Sequence, residues 1–120
     1  MELFKLPHDH GNEARLSHMP DGDKFSAAAE LFKLLGDSSR IRIFWILCHC
    51  EQCVINLSAM MQMSSSAVSH HLKLLRAMSL VVSRREGKEV YYKAADTDLS
   101  HQLHLMIEKM VEVTCPGTKE

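Results

Sequence analysis

The sequence predicts one small, mainly α-helical domain of the α+β class, with about five helices and a single two-stranded β-hairpin. Three observations predict it. The chain has 120 residues, which suits one domain and leaves no room for two independent cores. Apolar residues recur at helical spacing in most segments. Two short runs of β-type residues in the second half flank a glycine, which is typical of a hairpin.

The two ends of the chain are predicted to lie outside this domain. Residues 1–22 hold Pro and Gly among polar side chains and predict a flexible N-terminal arm. The folded domain is expected over 23–114, with a C-terminal tail over 115–120. The longest apolar run, 43–48, is far shorter than a membrane span, and no signal peptide is visible. We therefore expect a soluble, cytoplasmic protein without a membrane partner.

Four helices are predicted before the hairpin. Asp23 can cap the first and Gly36 follows its end, while Asp37 or Ser38 can cap the second. The expected ranges are about 23–35, 39–49, 54–61 and 65–78. The stretch 62–64 breaks the pattern between the last two of these helices, which predicts a helix-turn-helix.

The fourth helix has two different faces. At 100° per residue, its apolar side chains and one histidine share one face: Val68, His71, Leu72 and Leu75. The other face carries only Ser66, Ser69, His70 and Lys73. Hydroxyl, imidazole and amine groups of this kind reach base edges and phosphates of DNA. His71 is instead expected to pack in the core.

The predicted hairpin completes a winged helix-turn-helix. Its strands are expected over 80–83 and 89–92, with 84–88 as the tip, and a last helix over about 97–114. Residues 64–93 carry six basic and two acidic side chains, a net charge of +4, between acidic ends. A localised basic block is typical of a surface that binds a polyanion.

Thiols and imidazoles form a second group of candidate functional residues. Cys48, Cys50 and Cys53 lie within six residues of one another, and no export signal precedes them, so reduced thiols are expected. Thiolates with imidazoles suit Zn or another thiophilic metal ion, such as Cd, Cu(I), Pb or As(III). Nothing in the sequence supplies the organised acid–base pair of an enzyme.

Three segments together resemble the ArsR/SmtB family of metal-responsive repressors. They cover 34–43, 66–75 and 84–92, in the family's order and spacing. The resemblance implies a homodimer joined through its first and last helices. It also implies binding to double-stranded operator DNA, which is released when an effector binds. The last-helix stripe predicted to meet the partner comprises Leu103, Met106, Ile107 and Met110.

The resemblance also assigns DNA contacts. It implies a recognition helix in the major groove, with a wing that contacts phosphate or the minor groove. The predicted contacts on the helix are Ser65, Ser66, Ser69, His70 and Lys73, with Arg76 near the phosphates. Those on the wing are Arg84, Arg85 and Lys88.

The family's effector sites are matched only in part. One site is a thiolate pair at the start of the third helix. Here Cys53 keeps the first cysteine while Ile55 replaces the second. We expect Cys50 and Cys53 to bind a metal ion together with His8 and His10 of the arm. The other site lies on the last helix, where Lys109 occupies a ligand position. A second candidate is the edge formed by His101, His104 and Glu108.

Two alternatives stay open at this point. A thiol switch that joins Cys48 or Cys50 to Cys115 would make the protein a redox or reactive-sulfur sensor of the same fold. A winged-helix module that binds proteins would lack DNA binding, although such modules usually lack a polar recognition face backed by basic wing residues.

Overall fold

The computed structural model describes residues 6–8 and 10–112. They belong to two compact units, Met1–Leu31 and Phe32–Glu120. In the first unit, a 3-10 helix over Glu13–Leu16 precedes helix α1, Gly22–Leu34, whose last turn enters the second unit. Asp21, rather than Asp23, accepts a hydrogen bond at the start of α1, from the backbone N–H of Lys24 at 3.2 Å.

Helix α2, Ser38–His49, begins at a side-chain cap. The carboxylate of Asp37 accepts the backbone N–H of Arg40 at 2.9 Å, and so satisfies a donor that the first helical turn leaves unpaired. Ile43, Phe44 and Leu47 of α2 are buried and form much of the core of the second unit. Charged and apolar side chains alternate over 40–43, a pattern that would also suit a strand, but the helix runs unbroken to His49.

Helices α3, Val54–Met61, and α4, Ser65–Ala77, form the predicted helix-turn-helix. Gln62 ends α3 in the left-handed region, with a φ of 55°. Ser64 then caps α4 by accepting the backbone N–H of Ala67 at 3.1 Å. Leu57 of α3 and Leu75 of α4 are fully buried, so packing against the core fixes the orientation of both helices.

The hairpin belongs to a three-stranded antiparallel sheet. Strands β2, Val81–Glu86, and β3, Glu89–Ala94, pair from Val81 with Ala94 to Glu86 with Glu89, so the expected five-residue tip is wrong and Gly87 and Lys88 alone form it. A third strand, β1 over Gln52–Cys53, was not predicted and pairs with the other edge of β3. It joins the wing to the start of α3.

Helix α5, Asp98–Val111, completes the second unit. Its cap is Thr97, and the buried hydroxyl of Ser100 donates to the carbonyl of Leu80 at 3.1 Å, which anchors the helix beside the start of β2. None of the described helices has the length and apolar character needed to cross a membrane. The element order confirms the winged helix-turn-helix.

Candidate nucleic-acid interface and metal centre

The outer face of α4 is polar and open to solvent. The six side chains predicted there for DNA contact are all exposed: Ser65, Ser66, Ser69, His70, Lys73 and Arg76. The inner face holds Val68 and Leu72, which are at most 1% exposed. A buried apolar side therefore supports an exposed polar face. The hydroxyl of Ser65 at the start of this face also shares a hydrogen bond with the hydroxyl of Ser58 at 3.3 Å.

His71 is buried on the inner face of α4, where its spacing predicts it. Its Nδ1 accepts a hydrogen bond from Nε of Arg40 at 3.2 Å, and the same guanidinium donates to the carbonyl of Leu34 at 2.6 Å. Burial lowers the pKa of His71 below its ordinary value, which keeps the imidazole neutral. Arg40 thus links α4 to the end of α1 and the start of α2.

The two arginines of the wing have different surroundings. Nε and Nη2 of Arg84 each donate a hydrogen bond of 2.8 Å to the carboxylate of Glu51. Nη1 of Arg84 donates a third, also of 2.8 Å, to Glu86. The guanidinium also lies 4.8 Å from the ring centroid of Tyr91. Arg85 is exposed at the next position of β2. The pairing with Arg84 lowers the pKa of Glu51, so that carboxylate stays charged.

A cleft lies between α4 and the wing. It has a volume of about 320 Å³, and its lining includes Ser69, Lys73, Arg76 and Tyr92. Two cationic side chains, one hydroxyl and one aromatic ring are the groups that bind phosphate oxygens and sugar–base edges. Lys88, exposed at the tip of the hairpin, adds a further cation to the wing.

The first predicted metal site is divided between the two units. His8 and His10 belong to the first unit, with ring centroids 6.1 Å apart. Cys50 and Cys53 belong to the second. Cys50 is exposed and its sulfur accepts from the side-chain amide of Gln52 at 3.3 Å, whereas Cys53 is half-buried within β1.

The second predicted site has a different composition from the expected one. His101 forms an exposed pair with Asp96, at 2.9 Å between Nε2 and Oδ1. His104 instead meets His49 of α2, with their Nε2 atoms 3.2 Å apart. Glu108, one turn further along α5, is buried and accepts a hydrogen bond from the indole N–H of Trp45. His49 therefore takes the place expected for His101.

His49, His104 and Glu108 form a group whose ligand atoms all lie within 4.8 Å of one another, within the described part of the chain. Two imidazoles and a carboxylate are a donor set that suits a zinc-like ion. Burial is the main cause that lowers the pKa of His104, and the neutral imidazole is the form that binds metals. Sequence spacing on α5 finds His104 and Glu108, but His49 lies 55 residues away from His104.

The stripe predicted for the dimer interface divides into two parts. Leu103 and Ile107 are each 7% exposed and pack within the chain's own core. Met106 and Met110 are 47% and 74% exposed. A nearby apolar cavity of about 500 Å³ is lined by residues that include Ile41, Trp45 and Val111. Helix α1 has no buried residue, and its Phe32 is 67% exposed.

Cys48 and Cys50 line a further cleft of about 330 Å³, together with His101 and His104. Their positions place two thiols beside the first half of α5. Cys115, the other half of the predicted thiol switch, lies outside the described residues.

Comparisons with known proteins agree with this geometry. The family model described as "Bacterial regulatory protein, arsR family" matches residues 37–83. A transcriptional repressor SmtB homolog from Synechocystis is 44% identical over 86 residues, which are 72% of this chain and 63% of that protein. The chain thus spans less than two thirds of the length of that relative.

Two further comparisons cover a larger share of the compared protein's length. The cadmium resistance transcriptional regulatory protein CadC from Listeria innocua is 31% identical over 113 residues, 93% of each chain. The homodimeric winged helix-turn-helix DNA-binding domain Mb0332 from Mycobacterium bovis superposes with a TM-score of 0.65 at 23% identity, over 79% of this chain and 90% of that one. This last likeness concerns the fold.

Proposed function

This chain belongs to the ArsR family of bacterial regulatory proteins, and from that premise we propose that it is a dimeric transcriptional repressor that binds operator DNA and releases it when a metal ion binds. The family consists of transcriptional regulators rather than enzymes. Because operator DNA is in the cytoplasm, we place the protein's action there.

The exposed polar face of α4 carries this proposal. In the proposed complex α4 enters the major groove, where Ser66, Ser69 and His70 read base edges. Lys73 and Arg76 line the cleft between α4 and the wing and contact phosphate. Ser65, at the start of α4, adds a hydroxyl near the backbone.

The wing has two roles in the proposed complex. Arg85 and Lys88 are exposed and contact phosphate or the minor groove. Arg84 orients the hairpin instead, because Glu51 already binds its guanidinium through two hydrogen bonds. This assignment differs from the one that the sequence predicts for Arg84.

Exposed apolar side chains on α1 and α5 support dimerisation. Met106 and Met110 of α5 and Phe32 of α1 are exposed apolar side chains on the two helices that the family resemblance assigns to the interface. Two recognition helices related by a twofold axis would bind two half-sites of an imperfect palindrome. Burial of the α1 and α5 faces in the dimer is therefore part of the proposal.

The effector in this proposal is Zn or another thiophilic ion. The name of the Listeria relative connects that protein with cadmium resistance. The site of His8, His10, Cys50 and Cys53 stays a prediction, with its two halves in separate units. One specific observation favours a second candidate function, a thiol-based sensor: Cys48 and Cys50 line the same cleft.

A mobility shift with DNA from upstream of the protein's own coding sequence tests the proposal. Ser69→Asp places a negative charge on the outer face of α4 and should abolish the shift by repulsion from phosphate. Gln102→Glu adds the same charge at an exposed position of α5 and should preserve it. Equal binding by both variants would rule out α4 as the recognition helix.

A further inference from the structure

Three side chains that can bind a metal ion meet where the end of α2 contacts the middle of α5. His49 is the last residue of α2, and His104 and Glu108 are four residues apart on α5. Residues four apart on a helix project from the same side. Two elements that are distant in sequence therefore bring three ligand groups together inside one chain.

The distance between the two imidazoles fits a shared ion. Their Nε2 atoms lie 3.2 Å apart, with the rings edge to face at 87°. In a tetrahedral zinc site with Zn–N bonds of about 2.0–2.1 Å, neighbouring ligand nitrogens are about 3.3 Å apart. The imidazole pair already has this spacing. The largest separation in the group, 4.8 Å, closes with side-chain movement of about 1.5 Å.

The surroundings of the group orient its ligands. The indole N–H of Trp45 donates to Oε2 of Glu108, and the Trp45 ring lies 4.1 Å from the ring of His49, centroid to centroid. Hydrogen bonds from outer residues commonly hold the ligands of a metal ion in place. Trp45 therefore contacts two of the three ligand residues and serves as a positioning residue.

We propose that His49, His104 and Glu108 bind one divalent transition-metal ion of the zinc class within each chain. Two imidazoles select this class over Mg²⁺ and Ca²⁺, which prefer oxygen ligands. Three protein ligands leave a fourth coordination position for solvent. The site differs from both the thiolate site at the third helix and the last-helix site that the family resemblance implies.

The location connects the ion to DNA binding, and this step rests on the proposed function. His49 lies two residues before Glu51, which holds Arg84 of the wing, and three before β1, which leads into α3. An ion that ties His49 to α5 would therefore act on both the wing and the helix-turn-helix. Coupling between two sites of this kind typically changes affinity by about 5–150-fold.

The experiment uses the full-length protein after chelation and titrates it with Co²⁺. Trp45 is the chain's only tryptophan, so its fluorescence reports on the proposed site directly. We expect one Co²⁺ per chain at this site, with quenching of Trp45 and the visible absorption of tetrahedral cobalt. Zn²⁺ should displace the cobalt and restore the fluorescence.

Matched variants assign the ligands. His49→Gln and His104→Gln should each weaken Co²⁺ binding by about 100-fold or more, and Glu108→Gln should do the same while keeping an acceptor for Trp45. His101→Gln changes a histidine of the same helix that pairs with Asp96, and should bind as the wild type does. Circular dichroism confirms that each variant is folded.

Three outcomes would overturn the proposal: no Co²⁺ bound in the folded wild type, unchanged binding in all three ligand variants, or quenching of Trp45 that disappears in Cys50→Ser and Cys53→Ser while it persists in the ligand variants. Operator binding is then measured with and without Zn²⁺ by fluorescence anisotropy. If the protein binds Co²⁺ as expected but binds none of the DNA duplexes, the proposed function would be contradicted. The proposed metal site would still be supported.

Discussion

At the scale of single residues, neighbouring side chains of the same type have different roles because their partners differ. Arg84 and Arg85 are adjacent in β2 and both are exposed, yet Arg84 is held by Glu51 and Glu86. Because neighbouring residues of a strand point to opposite faces of the sheet, only one of them can turn toward Glu51. The sequence shows two equivalent arginines, and only the fold distinguishes them.

Glu51→Gln tests the anchoring role of Arg84. It removes a negative charge near the proposed DNA surface, so electrostatics alone would strengthen operator binding. We expect the opposite, a several-fold weaker affinity in an anisotropy titration, because the wing loses its bidentate anchor. Arg84→Ala should behave similarly. Tighter binding by Glu51→Gln would contradict the assignment.

Arg85→Ala provides the comparison. We propose that Arg85 contacts phosphate or the minor groove. A phosphate contact carries no sequence information, so the loss of one should weaken binding to every DNA sequence equally. The slope of log affinity against log salt concentration should fall by about one unit. A change in sequence preference would show that Arg85 reads bases.

Ser69 and His70 should determine sequence preference instead. Each side chain is exposed on the outer face of α4. Ser69→Ala or His70→Ala should reduce discrimination between the operator and single-base variants by about 1–3 kcal/mol, with little change in the salt slope. A competition assay against a set of operator variants measures this discrimination. Uniform loss across all variants would assign these residues to phosphate contact.

His71 makes stability depend on pH. Burial lowers its pKa in the folded chain below 6.5, so the unfolded chain binds more protons as the pH falls. The free energy of unfolding should therefore decrease between about pH 7 and pH 5, and the lowered pKa of His104 contributes in the same direction. Urea unfolding of His71→Gln should show a weaker dependence on pH than the wild type. An identical dependence would place the titration elsewhere.

At the scale of secondary-structure elements, helical periodicity and capping residues predicted most of the fold. The bounds of α2, α3 and α4 lie within one residue of those expected, because Asp37 and Ser64 form the caps that their positions suggest. Strand β1 was missed because two residues carry no periodic signal. Its pairing with Tyr91 and Tyr92 depends on the fold.

Helix α5 shows the limit of a stripe argument. Helical spacing places Leu103, Met106, Ile107 and Met110 on one stripe. In the structure Leu103 and Ile107 are buried in the core, whereas Met106 and Met110 are exposed to solvent. Periodicity identifies an apolar face and does not say which part of it meets the chain's own core.

This division gives a test of the dimer. Met110→Glu changes a side chain that is 74% exposed, so it should leave the fold intact and shift the dimer toward monomer in sedimentation. Leu105→Glu, 55% exposed and about 140° away around the helix, is the control and should remain dimeric. Leu103→Ala should instead destabilise the fold by about 2–4 kcal/mol. If Met110→Glu remains dimeric, the interface does not include this part of α5.

At the scale of the whole molecule, the family and the DNA-binding fold could be predicted from sequence, while the candidate metal centre could be predicted only in part, as His104 and Glu108. The exposed polar face is local to α4, so spacing reveals it. The group of His49, His104 and Glu108 forms only when α2 packs beside α5, across 55 residues of chain between the two histidines. His101 was expected in that group because spacing on one helix cannot show that Asp96 holds it.

In the proposed complex, two copies of this chain recognise one operator through α4. The most direct measurement is fluorescence anisotropy of full-length protein with DNA from its own promoter, compared with a shuffled duplex of equal length at the same salt concentration. We predict two chains per duplex and at least about 10³-fold tighter binding to the promoter DNA. Equal affinity for both duplexes, or one chain per duplex at saturation, would contradict it.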